Sequence, residues 1–290
     1  MKKKKLTPLL LLLPFLAVMA LVLVSVWNVA VQSLGYVPAF GLTELTGEYY
    51  LAVLRRGEFV SALRASLRIA FLSAVFATVL GVLLCAAIIR CRKAKGSVMY
   101  LLRLPILVPH AVVALFVICL FSQTGLIARF AFALGLIEDY SAFPQLLYTE
   151  GYGGAIAAYL WKETPFVAYF VLALMSSISR SLGEAAENLG ASPLRSFFLV
   201  TLPLSLPAIC KSFLIIFIFA FGGYELPLIL GVTLPKALPV QAYLSYMNPD
   251  LLQRPYAMAM NGIILLLSVG MALLYGALTH RLTRKLGGRA

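Results

Sequence analysis

Six stretches of this chain are apolar over 18 to 23 residues each, and nothing else in the sequence limits the fold so strongly. They run Leu9–Val31, Ile69–Ile89, Leu104–Phe121, Gly153–Met175, Ser212–Leu230 and Ala257–Leu278. Each is close to the ~20 residues with which an α-helix crosses about 30 Å of hydrocarbon. None shows the in-and-out alternation of a barrel strand, so in lipid the backbone must satisfy its own hydrogen bonds as helix. With 62% of 290 residues apolar and 12% charged, the chain has more apolar surface than one water-soluble core could hide. The expectation is an all-α membrane protein with six transmembrane helices.

Lys and Arg set the orientation. Four lie in the N-terminal tail, five in the 90–103 loop, three in the 177–211 loop and four after His280. That is sixteen on one side against seven in the opposite loops, which places both termini in the cytoplasm. The net charge of +13 is therefore spread as a topology signal, and no basic module of the kind that binds nucleic acid is present. Leu9–Val31 is longer than a signal-peptide core and no small-x-small cleavage site follows, so it reads as an uncleaved helix. Residues 32–65 and the proline-rich 231–256 read as outer loops, and 126–137, too short to span, as a helix at the outer interface. Cys85, Cys91, Cys119 and Cys210 lack metal-ligand spacing, and no cofactor or metal is expected.

The inner segment from Gly183 to Pro207 is the most informative. Glu184 to Leu189 are good helix formers, and Gly190 suits a left-handed helix end. Ser192 can cap a second helix with Pro193 at its first position. That second helix is expected to expose Phe197 and Phe198 before Leu202-Pro203 returns the chain to the membrane. Such a hairpin is either a docking element or a short interfacial linker.

The order Glu184-Ala185-Ala186, three residues, Gly190, nine residues, Val200, one residue, Leu202-Pro203 resembles the EAA loop of ABC importer permeases. These are the inner-membrane components of binding-protein-dependent transport systems. Val200 stands where that family usually has Ile. The resemblance implies a MetI-like, type I permease core over 60–290 with its coupling loop at 177–207. Residues 1–59 would be an added helix and first periplasmic loop. It further implies a multi-pass protein of the cytoplasmic (inner) membrane. The partners would be a cytoplasmic ABC ATPase dimer, a second permease (a copy or a different chain), and a periplasmic or lipid-anchored substrate-binding protein. Glu184, Ala185, Ala186, Gly190 and Pro203 carry the coupling role over; Phe197 and Phe198 join it as exposed aromatics and Arg195 as an ion-pair candidate. No Gly-Lys dipeptide, and hence no phosphate-cradling loop, occurs in the sequence, so ATP hydrolysis would need another polypeptide.

Charge inside the spans marks a second region. Only 16 uncharged residues follow Glu163, about 24 Å of helix, so Lys162 and Glu163 must lie within the fourth span or at its outer edge. In the fifth, FAFGGYELPLILG places Gly222, Gly223 and Pro227 around Tyr224 and Glu225, the pattern of a broken helix. Lys162, Glu163, Tyr224 and Glu225 are candidate pathway residues; an ion pair between Lys162 and Glu225 is the alternative reading. His110 reads as a hydrogen-bonded structural residue. The surroundings of Phe221–Gly231 resemble permeases of the polyamine, iron, thiamine and phosphonate group, which implies a polyamine-like substrate as one option.

A secondary transporter or channel would need no docking loop, and an intramembrane enzyme lacks its motifs. The only aspartates, Asp139 and Asp250, lie in outer loops, and His110 and His280 are far from HExxH spacing.

Overall fold

The computed structural model describes residues 6–90, 97–178 and 180–287; at 6–9, 90, 174–178, 180–181, 184 and 278–287 it describes the backbone alone. The described chain is helical: α1 (Leu6–Ser33), α2 (Glu48–Arg55), α3 (Gly57–Arg90), α4 (Ser97–Leu107), α5 (His110–Phe121), α6 (Leu126–Ala133), α7 (Gly153–Ile178), α8 (Arg180–Asn188), α9 (Pro193–Ser196), α10 (Leu202–Gly222), α11 (Glu225–Leu230), α12 (Leu238–Tyr246) and α13 (Arg254–Gly287). Among the described residues, five stretches are long and apolar enough to cross a membrane: Leu10–Ser33, Gly57–Ile89, His110–Ala133, Pro193–Gly222 and Leu251–Ala277. α7 is 26 residues long, about 39 Å, and carries Lys162, Glu163 and Pro165.

Several sequence expectations are corrected. Leu104–Phe121 is not one helix: it breaks at Val108-Pro109, because Pro109 has no N–H and disfavours helical geometry in the residue before it. The two regions read as loops each contain a helix, α2 within 32–65 and α12 within 231–256. In α12, Pro239 falls in the first turn, where its missing N–H costs nothing. Leu238 at the start of that helix donates its N–H to the Ser66 hydroxyl at 2.8 Å.

The chain divides into two compact units. The first comprises residues 1–60 and 241–266. Within it, α1 is exposed along its apolar length from Leu10 to Asn28, as expected of a helix whose solvent is lipid. Its end is tied to α2 by the Tyr50 hydroxyl donating to Ser33 Oγ at 2.8 Å. Tyr49 meets Tyr256 edge to face at 5.0 Å, and Arg56 lies over the same ring at 4.9 Å.

The second unit comprises 61–240 and 267–290. α7 lies at its centre, packed on α4, α5, α10 and α11. α3 buries a stripe of small residues at helical spacing, Ala62, Ser66, Ser73, Ala77 and Gly81 among them. A side chain at Gly81 would press on Val167, so glycine lets α3 approach α7 closely. One turn on, the Cys85 thiol donates to the Ala168 carbonyl at 3.5 Å.

Candidate functional site

Two constellations stand out in the second unit. The first is the hairpin between α7 and α10. α8 closes in a Schellman arrangement: Gly190 takes φ 93°, its N–H bonds to Glu187 O at 2.9 Å and Ala191 N–H to Ala186 O at 3.0 Å. Ser192 Oγ then accepts from the Arg195 N–H at 3.4 Å, capping α9 with Pro193 at its first position. α9 runs through a π-helical turn, Phe197–Thr201, into α10. The hairpin is closed by Ser196, whose buried hydroxyl donates to Gly183 O at 3.1 Å.

The structure separates the two phenylalanines expected to be exposed together. Phe197 is 1% exposed and Phe198 44%, their rings edge to face at 5.1 Å. Phe197 opens the π turn, a segment that packs against α8. The apolar tip consists instead of Leu189, 90% exposed, with Phe198 and Leu199. Ala185, Gly190, Arg195 and Pro203 are exposed as well, and Ala186 is half-buried. Glu184 belongs to α8, but its side chain lies outside the described residues.

The second constellation gathers where helices break. α10 stops at Gly222, Gly223 is extended, and α11 starts at Glu225. A Cβ at Gly223 would collide with the Tyr159 hydroxyl from α7. On the far side of the Val108-Pro109 break, His110 opens α5 and places its Nδ1 3.7 Å from Glu225 Oε2. His110, Tyr159, Phe219, Gly223, Tyr224 and Glu225 surround a cavity of about 250 Å³. The His110 ring stands 5.4 Å from Phe219 and 6.2 Å from Tyr159, and its buried Nε2 has no hydrogen-bond partner among the described residues. Glu225 keeps about half its side chain exposed. This is a carboxylate and an imidazole in an aromatic surround, able to hold a cation or a polar group.

Lys162 meets backbone and not Glu225. It is buried, and its Nζ donates to Val108 O at 2.6 Å and Ile106 O at 3.4 Å. The break that Pro109 imposes leaves carbonyls at the end of α4 without helical donors, and the ammonium supplies them. Lys162 thus bonds backbone carbonyls, and the nearest cationic-capable group to the Glu225 carboxylate is His110, with 3.7 Å between Nδ1 and Oε2. Glu163 is also buried on α7 and does not line the cavity. Tyr159 and Phe219 were not read as site residues, and His110 was expected only to be structural.

Comparison with known proteins adds family and fold. The family described as binding-protein-dependent transport system inner membrane component matches residues 77–284. The putrescine transport system permease protein PotI of Escherichia coli (strain K12) is 29% identical over 171 residues, 58% of this chain. The match covers 55% of that relative, so this chain spans about half its length. The molybdate/tungstate transport system permease protein WtpB of Pyrococcus abyssi is 30% identical over 209 residues, 71% of this chain and 74% of that one. A crystal structure of a bacterial ABC transporter involved in the import of the acidic polysaccharide alginate superposes with a TM-score of 0.76 at 20% identity, covering 97% of both chains.

Proposed function

This chain belongs to the family of binding-protein-dependent transport system inner membrane components, and from that premise we propose that it is the permease subunit of an ATP-driven importer. The hairpin of α8 and α9 is the docking element for a separate cytoplasmic ATPase dimer, and a second permease completes the pathway. A substrate-binding protein delivers from the other side. The observation that carries this reading is the Schellman-closed hairpin with its apolar tip at Leu189, Phe198 and Leu199. Exposed apolar side chains on a hairpin rimmed by polar residues fit a protein contact.

We place six spans across the inner membrane, α1, α3, α4 with α5, α7, α10 and α13, with both termini cytoplasmic. The added helix and loop of 1–59 then precede a five-helix core of 60–290. α7 crosses despite its charges because Lys162 and Glu163 are buried against protein. The substrate class proposed is a polyamine-like cation. It is supported by the likeness to a putrescine permease and by the half-exposed Glu225 in its aromatic surround.

Two experiments test this. A cysteine at residue 94 is expected to label only from the cytoplasm and one at residue 140 only from outside; reversed labelling overturns the docking role. Glu225→Gln is expected to lower polyamine uptake while protein level and ATPase assembly stay unchanged. Unchanged uptake removes the cavity from the pathway.

A further inference from the structure

Glu163 is a buried carboxylate that neither the hairpin nor the cavity uses. It lies on α7 and is 9% exposed. Among the described residues no donor hydrogen-bonds to it and no cationic nitrogen lies within 4.0 Å. Its sequence neighbour Lys162 projects about 100° away around the helix and donates to the Ile106 and Val108 carbonyls. An acid inside a span is costly when nothing pairs with it, and it marks a place where a partner arrives in another state of the protein.

Glu163 follows Tyr159 by four residues, so the two side chains share a face of α7, about 6 Å apart along its axis. Side chains on a helix lean toward its N-terminal end, which turns the carboxylate toward Tyr159. Tyr159 in turn walls the cavity that holds Glu225, and its hydroxyl fills the space beside Gly223. The series running inward is therefore half-exposed Glu225, then buried Tyr159, then buried Glu163. With α7 entering from the outer side, as proposed above, Glu163 is one turn nearer the cytoplasm than Tyr159. We propose that Glu163 is a second cation site, reached from Glu225 when Tyr159 moves aside; this rests on the importer reading. A carboxylate that no protein donor holds can accept an ammonium without first giving up a bond. The ligand class is an amine with two or more ammonium groups, since one can stay at Glu225 while the next reaches Glu163. The Tyr159 ring between them offers such a cation a π face.

The test uses the assembled transporter in membrane vesicles, with Glu163→Cys and a cationic methanethiosulfonate as the probe, measured above the wild-type background. The introduced thiol is expected to be unreactive at rest, to react during ATP turnover, and to react more slowly when putrescine is present. Adding Tyr159→Ala should make it reactive at rest, a result that needs neither ATPase nor substrate. Glu163→Gln should lower putrescine uptake roughly tenfold, the worth of one charge-assisted contact, and Glu163→Asp should keep most of it. Because Glu163→Gln breaks no bond, the thermal melt should not fall. A lowered melt with unchanged uptake per folded protein makes Glu163 structural and overturns the site. A thiol that stays unreactive during turnover, or in a folded Tyr159→Ala protein, overturns it as well. Failure of the polyamine reading alone shows differently: no putrescine uptake by the wild type, with the thiol still reacting during turnover.

Discussion

The hairpin and the cavity each depend on one glycine, for different physical reasons. Gly190 is needed for its own backbone: φ 93° is a conformation that costs other L-residues about 1–2 kcal/mol, and nothing lies within 4 Å of where its side chain would go. Gly223 has ordinary extended geometry, φ −75° and ψ 129°, and is needed because another helix is there: Tyr159 from α7 fills the space a Cβ would take. One is a local requirement, settled by neighbours in sequence. The other is a tertiary requirement, settled by a residue 64 positions away. Sequence can show both that a glycine is there and why in the first kind; in the second it shows the break but not the neighbour that selects the glycine.

The largest expected effect would break the local side. Gly190→Pro removes the N–H that bonds Glu187 O and forbids the positive φ, a local cost of ~3 kcal/mol or more. ATP-coupled uptake should be nearly abolished while the protein still inserts, as measured by uptake into vesicles alongside membrane protein level. Normal uptake would mean that the hairpin turn is dispensable.

On the tertiary side, Gly223→Ala should destabilise by about 1–3 kcal/mol through overpacking. Tyr159→Phe, which deletes the colliding hydroxyl, should restore at least half of that loss in a thermal melt. A neutral Gly223→Ala, or a loss that Tyr159→Phe leaves untouched, would show that the close approach is not what selects glycine.

Lys162→Met should cost about 1–2 kcal/mol, because the carbonyls of Ile106 and Val108 lose their donor. Adding Glu225→Gln should not rescue it, since these two side chains have separate partners. Rescue in the double variant would instead support a direct Lys162–Glu225 pairing. His110→Gln and Glu225→Gln, by contrast, should combine less than additively, by under ~1 kcal/mol because the pair is partly exposed. Ser196→Ala should cost ~1 kcal/mol by removing the hydroxyl's bond to Gly183 O, with docking retained.

The sequence was most legible where chemistry repeats over short distances. Apolar run length placed the long helices, and Gly190, Ser192 and Pro193 announced the hairpin through the backbone geometry each favours. The break after Gly222 was legible for the same reason, from two glycines and a proline near one acid. What escaped was partner choice. The spacing of Lys162 and Glu225 suggested similar depth, but depth says nothing of azimuth around a helix. The break at Pro109 then created carbonyl acceptors that an apolar-run count does not register. Phe197 lies in a π turn, which no local propensity marks.

The central claim, that this hairpin docks a separate ATPase, is tested most directly by replacing Leu189, the most exposed residue of its tip, with a photoreactive benzoylphenylalanine. Irradiated in membranes containing the assembled transporter, it is expected to give one adduct with the nucleotide-hydrolysing subunit, lost when Gly190→Pro is added. An adduct only with lipid or with a protein from the outer side, in a transporter that still takes up substrate, would contradict the account.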